Sequence, residues 1–232
     1  MLPQFAKAKP HAASTQAVWI ADLLAREGDW LRAQLPAAAK VLWIAPASAP
    51  PPPLPATTPV IALQRNAEQW LSGDLICAPA AWPVANDSLD SVVLQHLGES
   101  ALAIDDLLAE AIRGLRPEGE LWLFGCGPIS LARLRFGRQG QHGLASTSPG
   151  RLVQALRELG AVAIERRALR QQGSGFAARA SSGADWWCDV ILIHARKRQS
   201  ASILRPRRQQ VFASLPLPPL GASPATRKAL AA

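Results

Sequence analysis

Short apolar runs constrain the fold of this chain more than any other feature. KVLWIA (40–45), PVIAL (59–63), SVVLQH (91–96) and LWLFG (121–125) each have strand length and almost no polar interruption. Such runs suit strands covered on both faces, as in parallel sheets. Helical patterns lie between several of them. SALAIDDLLAEAIRGL (100–115) is amphipathic, with Ser100 a candidate N-cap and Gly114 a stop. PISLARLR (128–135) opens with proline at a first helical position, and SPGRLVQALRELG (148–160) carries a candidate cap at Ser148. Strand–helix alternation over residues 40–160 predicts a doubly wound parallel sheet. AVAIERRAL (161–169) and DWWCDVILIHARK (185–197) then follow without an intervening helix, which predicts an antiparallel hairpin at the sheet edge.

The remaining segments fill in this plan. Residues 15–35 have helical spacing, with Gly28 expected to divide two helical pieces. NAEQWLSG (66–73) reads as a short helix ending at Gly73, and DLICA (74–78) as a short strand. WPVANDSLD (82–90) is a loop, RPEGE (116–120) a tight turn, and RQQGSGFAARASSGA a polar, glycine-rich connection. The GSG at 173–175 does not sit between a strand and a helix, so it reads as a flexible loop rather than a phosphate cradle.

The 232 residues suit one α/β domain with appendages. The expected organisation is an N-terminal helical segment (1–36), the α/β domain (37–198) and a Pro-, Arg- and Ala-rich tail (199–232) without periodicity. Net charge is +8 but unevenly placed: residues 1–165 carry −2 and residues 166–232 carry +10. The basicity therefore points to an appended interaction segment rather than a nucleic-acid-binding fold. Arg205, Arg207 and Arg208 could meet phosphates or anionic lipid, and solvated tail charge is the simpler reading. Trp186 and Trp187 read as packing or interface surface before base stacking. Cys77, Cys126 and Cys188 are far apart, in no metal-binding spacing, which predicts reduced thiols in a cytoplasmic protein and no metal. No apolar run reaches the roughly 20 residues of a membrane span. The N-terminus has lysines but no apolar signal core.

At motif level, residues 82–135 resemble class I S-adenosylmethionine-dependent methyltransferases, of the type 11-like kind. The resemblance rests on Trp82-Pro83-Val84, Asp87-Ser88-Leu89-Asp90, SVVLQH, and Leu115-Arg116-Pro117-Glu118-Gly119 before a strand. GCGPISLARLR (125–135) is similar to a segment in one branch of bacterial members. In order of elements the similarity extends over about residues 40–196. It implies a Rossmann-like α/β fold: a mostly parallel seven-stranded sheet with an antiparallel edge hairpin and helices on both faces. It also implies an S-adenosylmethionine pocket at the carboxyl ends of the first strands.

Against that pattern the chain departs at the cofactor positions. The family loop after the first strand is glycine-rich, so that backbone can approach the cofactor and donate N–H groups. Here KVLWIA runs into PASAPPPPLP, with no glycine between Lys40 and Gly73. Proline lacks the N–H, so Pro50–Pro53 predict an extended connection with few donors and no helix. The acidic residue expected at the end of the second strand is replaced by about Gln64, which can hydrogen-bond ribose without charge. The position expected to face adenine falls on Ala78, with Asp74 the nearest acid. The resemblance therefore implies a cofactor-binding set of Ala45, Pro46, Ala47, Ser48, Gln64, Cys77, Ala78 and Gln95. His96, after the fourth strand, is a candidate general base or else a polar residue capping that strand. Gly125, Cys126 and Gly127 form either a pocket wall or a plain turn. The expected function is a divergent methyltransferase of unknown acceptor. The alternative is a pseudo-methyltransferase that binds a protein partner, and a weaker third reading is an RNA-associated protein using the basic region.

Overall fold

A computed structural model describes residues 11–36, 39–46, 49, 54–65, 70–97, 104–127, 130, 133, 148–172, 175–180 and 188–198. The chain divides into two units, Met1–Ser200 and Ala201–Ala232. The second unit, and with it nearly all of the basic tail, lies outside the described residues, as do Trp186, Trp187 and Ser100.

In chain order the elements are α1 (His11–Arg32), β1 (Val41–Pro46), β2 (Val60–Arg65), β3 (Leu71–Gly73), β4 (Ile76–Cys77) and β5 (Leu89–Gln95). They continue with α2 (Ile104–Gly114), β6 (Leu115–Cys126), α3 (Pro149–Glu158), β7 (Ala161–Gln172), β8 (Gly175–Ala180) and β9 (Val190–Lys197). The nine strands form one sheet in the order β4-β3-β2-β1-β5-β6-β9-β7-β8. β1 pairs parallel with β2 and β5, and β5 with β6; the other five pairings are antiparallel. The sheet is therefore mixed and nine-stranded, not the mostly parallel seven-stranded sheet that was expected.

The two additional strands each form against a neighbouring strand. Part of the expected helix over 66–73 is strand: Leu71–Gly73 folds back along the end of β2. Asp74 fixes this reversal, its carboxylate accepting from Ala62 N at 2.8 Å and its own N–H donating to Ala62 O. Gly73 has φ +151, and a Cβ there would overlap the Ala62 carbonyl oxygen, so only glycine fits. The second addition comes from the glycine-rich connection. β7 runs on to Gln172 and β8 starts at Gly175, so the polar segment closes a hairpin instead of staying a loop. Residues 173 and 174 of the GSG lie outside the described residues. β7 and β9 do pair antiparallel, with β8 rather than β7 forming the edge.

Each central strand buries both faces, and alternate residues serve two cores. Leu42, Ile44, Val92, Leu94, Leu121 and Leu123 pack with α2 and α3 on one side. The stripe Ile104, Leu107, Leu108, Ala111 and Ile112 has the helical repeat that lays α2 there. Ser148 caps α3, its hydroxyl accepting from Arg151 N at 3.2 Å. On the other side, Val41, Trp43, Val93, Trp122 and Phe124 meet Ile20, Leu23, Leu24 and Leu31 of α1. The helix α1 is continuous through Gly28, where a break was expected. A glycine inside a helix costs about 1 kcal/mol. Burial of four large side chains on both sides of it contributes several times as much.

The expected tight turn over RPEGE is an irregular stretch inside β6. Leu89 pairs with Leu115, and pairing resumes only at Ser91 with Glu120. The loop before β5 is held by α2. Arg113 donates to Trp82 O at 3.0 Å, Val84 O at 2.8 Å and Asn86 Oδ1 at 2.5 Å, while Glu110 accepts from Trp82 N at 2.9 Å. The Arg113 hydrogen bond holds the Glu110 carboxyl below its ordinary range, burial opposing and the Trp82 N–H assisting. Because the folded-state value is depressed, this contribution to stability is present above the unfolded value of about 4.3. It is lost as pH falls through the lower folded value. Glu110→Gln should thus lower the melting temperature near neutral pH and have a smaller effect at about pH 3; equal effects at both would refute the linkage.

Candidate functional site

The carboxyl ends of the parallel strands form one rim of the sheet. Register places Ala45 beside Gln64, and Pro46 beside Arg65. Ile44 pairs with Leu94, so Gln95 stands level with Ala45, and Gln95 pairs with Phe124 of β6. Strand order reverses between β1 and β5, which is where open α/β sheets bind ligands. Ala45, Pro46, Gln64 and Gln95 therefore share this rim. Leu71 pairs with both Arg65 and Cys77, which sets Cys77 two strands further out in the same row. Ala78 forms an isolated bridge with Ala81. Ala47, Ser48 and Pro50–Pro53 lie outside the described residues.

The side chains on the rim are engaged internally. The Gln64 amide donates to Ala49 O at 2.9 Å, and Ala49 N donates to Pro46 O at 2.9 Å. Ala49 is buried, so this part of the proline loop turns back over the ends of β1 and β2. The Gln64 side chain therefore grips its own loop through its NH₂ and keeps a carbonyl oxygen able to accept a hydroxyl.

Gln95 and His96 point to the α1 side. Gln95 Oε1 accepts from Trp43 Nε1 at 2.8 Å, and Gln95 Nε2 donates to Glu27 Oε2 at 3.0 Å and Leu24 O at 3.3 Å. His96 Nε2 lies 2.8 Å from Glu27 Oε1, and Nδ1 lies 3.4 Å from Cys126 Sγ. Glu27 is 0% exposed and His96 1%. The His96 backbone sits at φ +49, in the left-handed region that non-glycine residues enter seldom. One carboxylate thus gathers two partners from the end of β5, in a compartment covered by α1.

Glu27 was not among the sequence-derived site residues. Its signal was present, because Ile20, Leu23, Leu24, Glu27 and Leu31 form one stripe at helical spacing. A carboxylate inside an apolar stripe needs a buried partner. Cys126 was read as part of a pocket wall or a plain turn; nothing in its spacing relates it to His96. Cys77 lies near Glu110, and burial, followed by that carboxylate's charge, pushes its thiol up. Among the described residues no group of His, Cys, Asp and Glu is arranged to hold a metal. No described helix is long and apolar enough to cross a membrane.

No protein-family model and no curated protein sequence matches the chain. Solved structures do. A SAM-dependent methyltransferase of Thermotoga maritima superposes with TM-score 0.53 at 12% identity, over 80% of this chain and 96% of that one. A complex between the Haloferax volcanii Trm112 methyltransferase activator and a candidate methyltransferase matches with TM-score 0.56 at 15% identity, over 81% and 96%. A SAM-dependent methyltransferase of Archaeoglobus fulgidus matches with TM-score 0.53 at 14% identity, over 78% and 94%. The chain has the class I S-adenosylmethionine-dependent methyltransferase fold. It keeps the strand order with its reversal between β1 and β5 and adds β3 and β8 to the expected set.

Proposed function

We propose that the protein is a divergent S-adenosylmethionine-dependent methyltransferase of unknown acceptor. The observation that supports this is the alignment of Ala45, Gln64 and Gln95 at the switch point, where ligands of open α/β sheets sit. The residues fit the cofactor in part. Gln64 Oε1 would accept a ribose hydroxyl, and the backbone of Ala45, Pro46, Ala47 and Ser48 would line the approach, with Cys77 and Ala78 on the adenine side. When bound, the cofactor supplies an activated methyl group; the protein's contribution is to hold an acceptor in line with it. His96, enclosed by Glu27 and Cys126, serves in this reading as a positioning residue for the end of β5.

A specific observation favours a second reading. Gln64 already grips Ala49 of a loop rich in proline, which has few N–H groups to offer a ligand. A pseudo-methyltransferase that keeps the fold and acts through a protein partner would carry such a loop at no cost. Calorimetric titration of the full chain with S-adenosylmethionine, and separately with S-adenosylhomocysteine, separates the two. The enzyme reading expects binding tighter than about 100 μM, roughly −5.5 kcal/mol. A folded sample that gives no heat at high protein concentration would overturn it and leave the partner-binding reading.

A further inference from the structure

Glu27, His96 and Cys126 form a hydrogen-bonded line: carboxylate, imidazole, thiol. When Nε2 carries the proton and donates to the carboxylate, the other ring nitrogen, Nδ1, faces the sulfur as an acceptor. In this tautomer His96 is placed to take the thiol proton, and Glu27 to orient the ring and offset the charge that results. The three residues come from three elements, α1, the end of β5 and the end of β6, and the packing of α1 on the sheet holds them in place. We propose that Cys126 is a nucleophilic thiol, activated by His96, whose co-reactant is a small neutral peroxide.

Burial selects the reagent class. Cys126 is only 5% exposed, so a small neutral oxidant suits it and a bulky disulfide does not. The nearby Glu27 carboxylate disfavours anions. In the step, Nδ1 takes the thiol proton and sulfur attacks one peroxide oxygen. The O–O bond breaks, and the departing hydroxide leaves as water with the proton from the imidazolium. Cys126 becomes a sulfenic acid, and the peroxide is the two-electron oxidant. This chemistry does not depend on whether the chain binds S-adenosylmethionine.

The protein contains its own control. Cys77 is also 5% exposed, but its thiol is raised by burial and by Glu110. The matched exposure of the two residues makes Cys77 the internal reference for rate. The reduced full chain is treated with hydrogen peroxide, sulfenic acid is trapped with dimedone, and labelled sites are read by mass spectrometry. Cys126 is expected to label on the order of a hundredfold faster than Cys77, the usual scale for a positioned base. Labelling of the two at rates within about threefold would overturn the proposal, since general-base help is larger than that. Glu27→Gln gives a second reading whose sign discriminates. Loss of activation slows Cys126 relative to Cys77 by about tenfold or more. If Glu27 only fastens α1, the variant loosens the compartment and Cys126 labels faster, which would also overturn the proposal.

Discussion

Glu27→Ala is expected to destabilise the Met1–Ser200 unit by about 3–5 kcal/mol, the cost of losing two buried hydrogen bonds to a carboxylate at about 1.5–3 kcal/mol each. The carboxylate is 0% exposed and accepts from both His96 Nε2 and Gln95 Nε2. Alanine deletes both bonds and leaves a void between α1 and the sheet. For a domain of this length the melting temperature should fall on the order of 10 °C. Glu27→Gln keeps the volume and one acceptor oxygen, so its loss should be nearer 1–2 kcal/mol, roughly that of a charge-assisted bond made neutral. Thermal or urea unfolding of the three proteins measures this directly. If alanine and glutamine proved equally mild, within about 1 kcal/mol of wild type, the clasp would contribute little to docking α1.

Gly127→Ala should be strongly destabilising. A Cβ at this position would overlap the Cys188 carbonyl oxygen, with the Cys188 carbonyl carbon and Sγ at 3.1 and 3.2 Å. Relief is difficult because Cys126 is paired with Val190 in the central β6–β9 ladder, and Gly127 N donates to Asp189 O at 3.2 Å. The strands would have to separate, at a cost of about 3 kcal/mol or more. Gly150→Ala is the matched comparison. Nothing lies within 4 Å of a Cβ there, and the residue is in α3. That change should stabilise by about 0.5 kcal/mol through helix propensity. Opposite signs for the same glycine-to-alanine change would confirm close approach at Gly127; a neutral Gly127→Ala would refute it.

Elements that rest on local pattern were legible in the sequence. The apolar runs of β1, β2, β5 and β6, the repeat of α2 and the Ser148 cap each follow from side chains a few residues apart. β3 and β8 were not legible, because what makes them strands is the partner beside them. Leu71–Gly73 carries no alternation, and Gly175–Ala180 is alanine-rich and glycine-led, with Phe176 its one large apolar side chain. Gly28 misled for the related reason that a local helix penalty was outweighed by packing at a distance. At the rim, the row of Ala45, Gln64 and Gln95 followed from strand order, but the direction of each side chain did not. Gln95 was placed in the cofactor-binding set and His96 read as a candidate general base or a strand-capping polar residue; in the structure both hydrogen-bond Glu27 under α1.

The linear chain already carried the class of fold, the absence of a glycine cradle after β1 and the segregation of positive charge toward the C-terminus, because all three depend on composition and spacing. Folding was needed to bring Glu27, His96 and Cys126 together, to set Gln64 on its own loop and to place nine strands in one sheet. These depend on contacts between residues far apart in the chain: 69 positions for Glu27 and His96, and 76 for Glu120 and Arg196. The energies of such contacts come from burial and geometry, and neither is written in local periodicity.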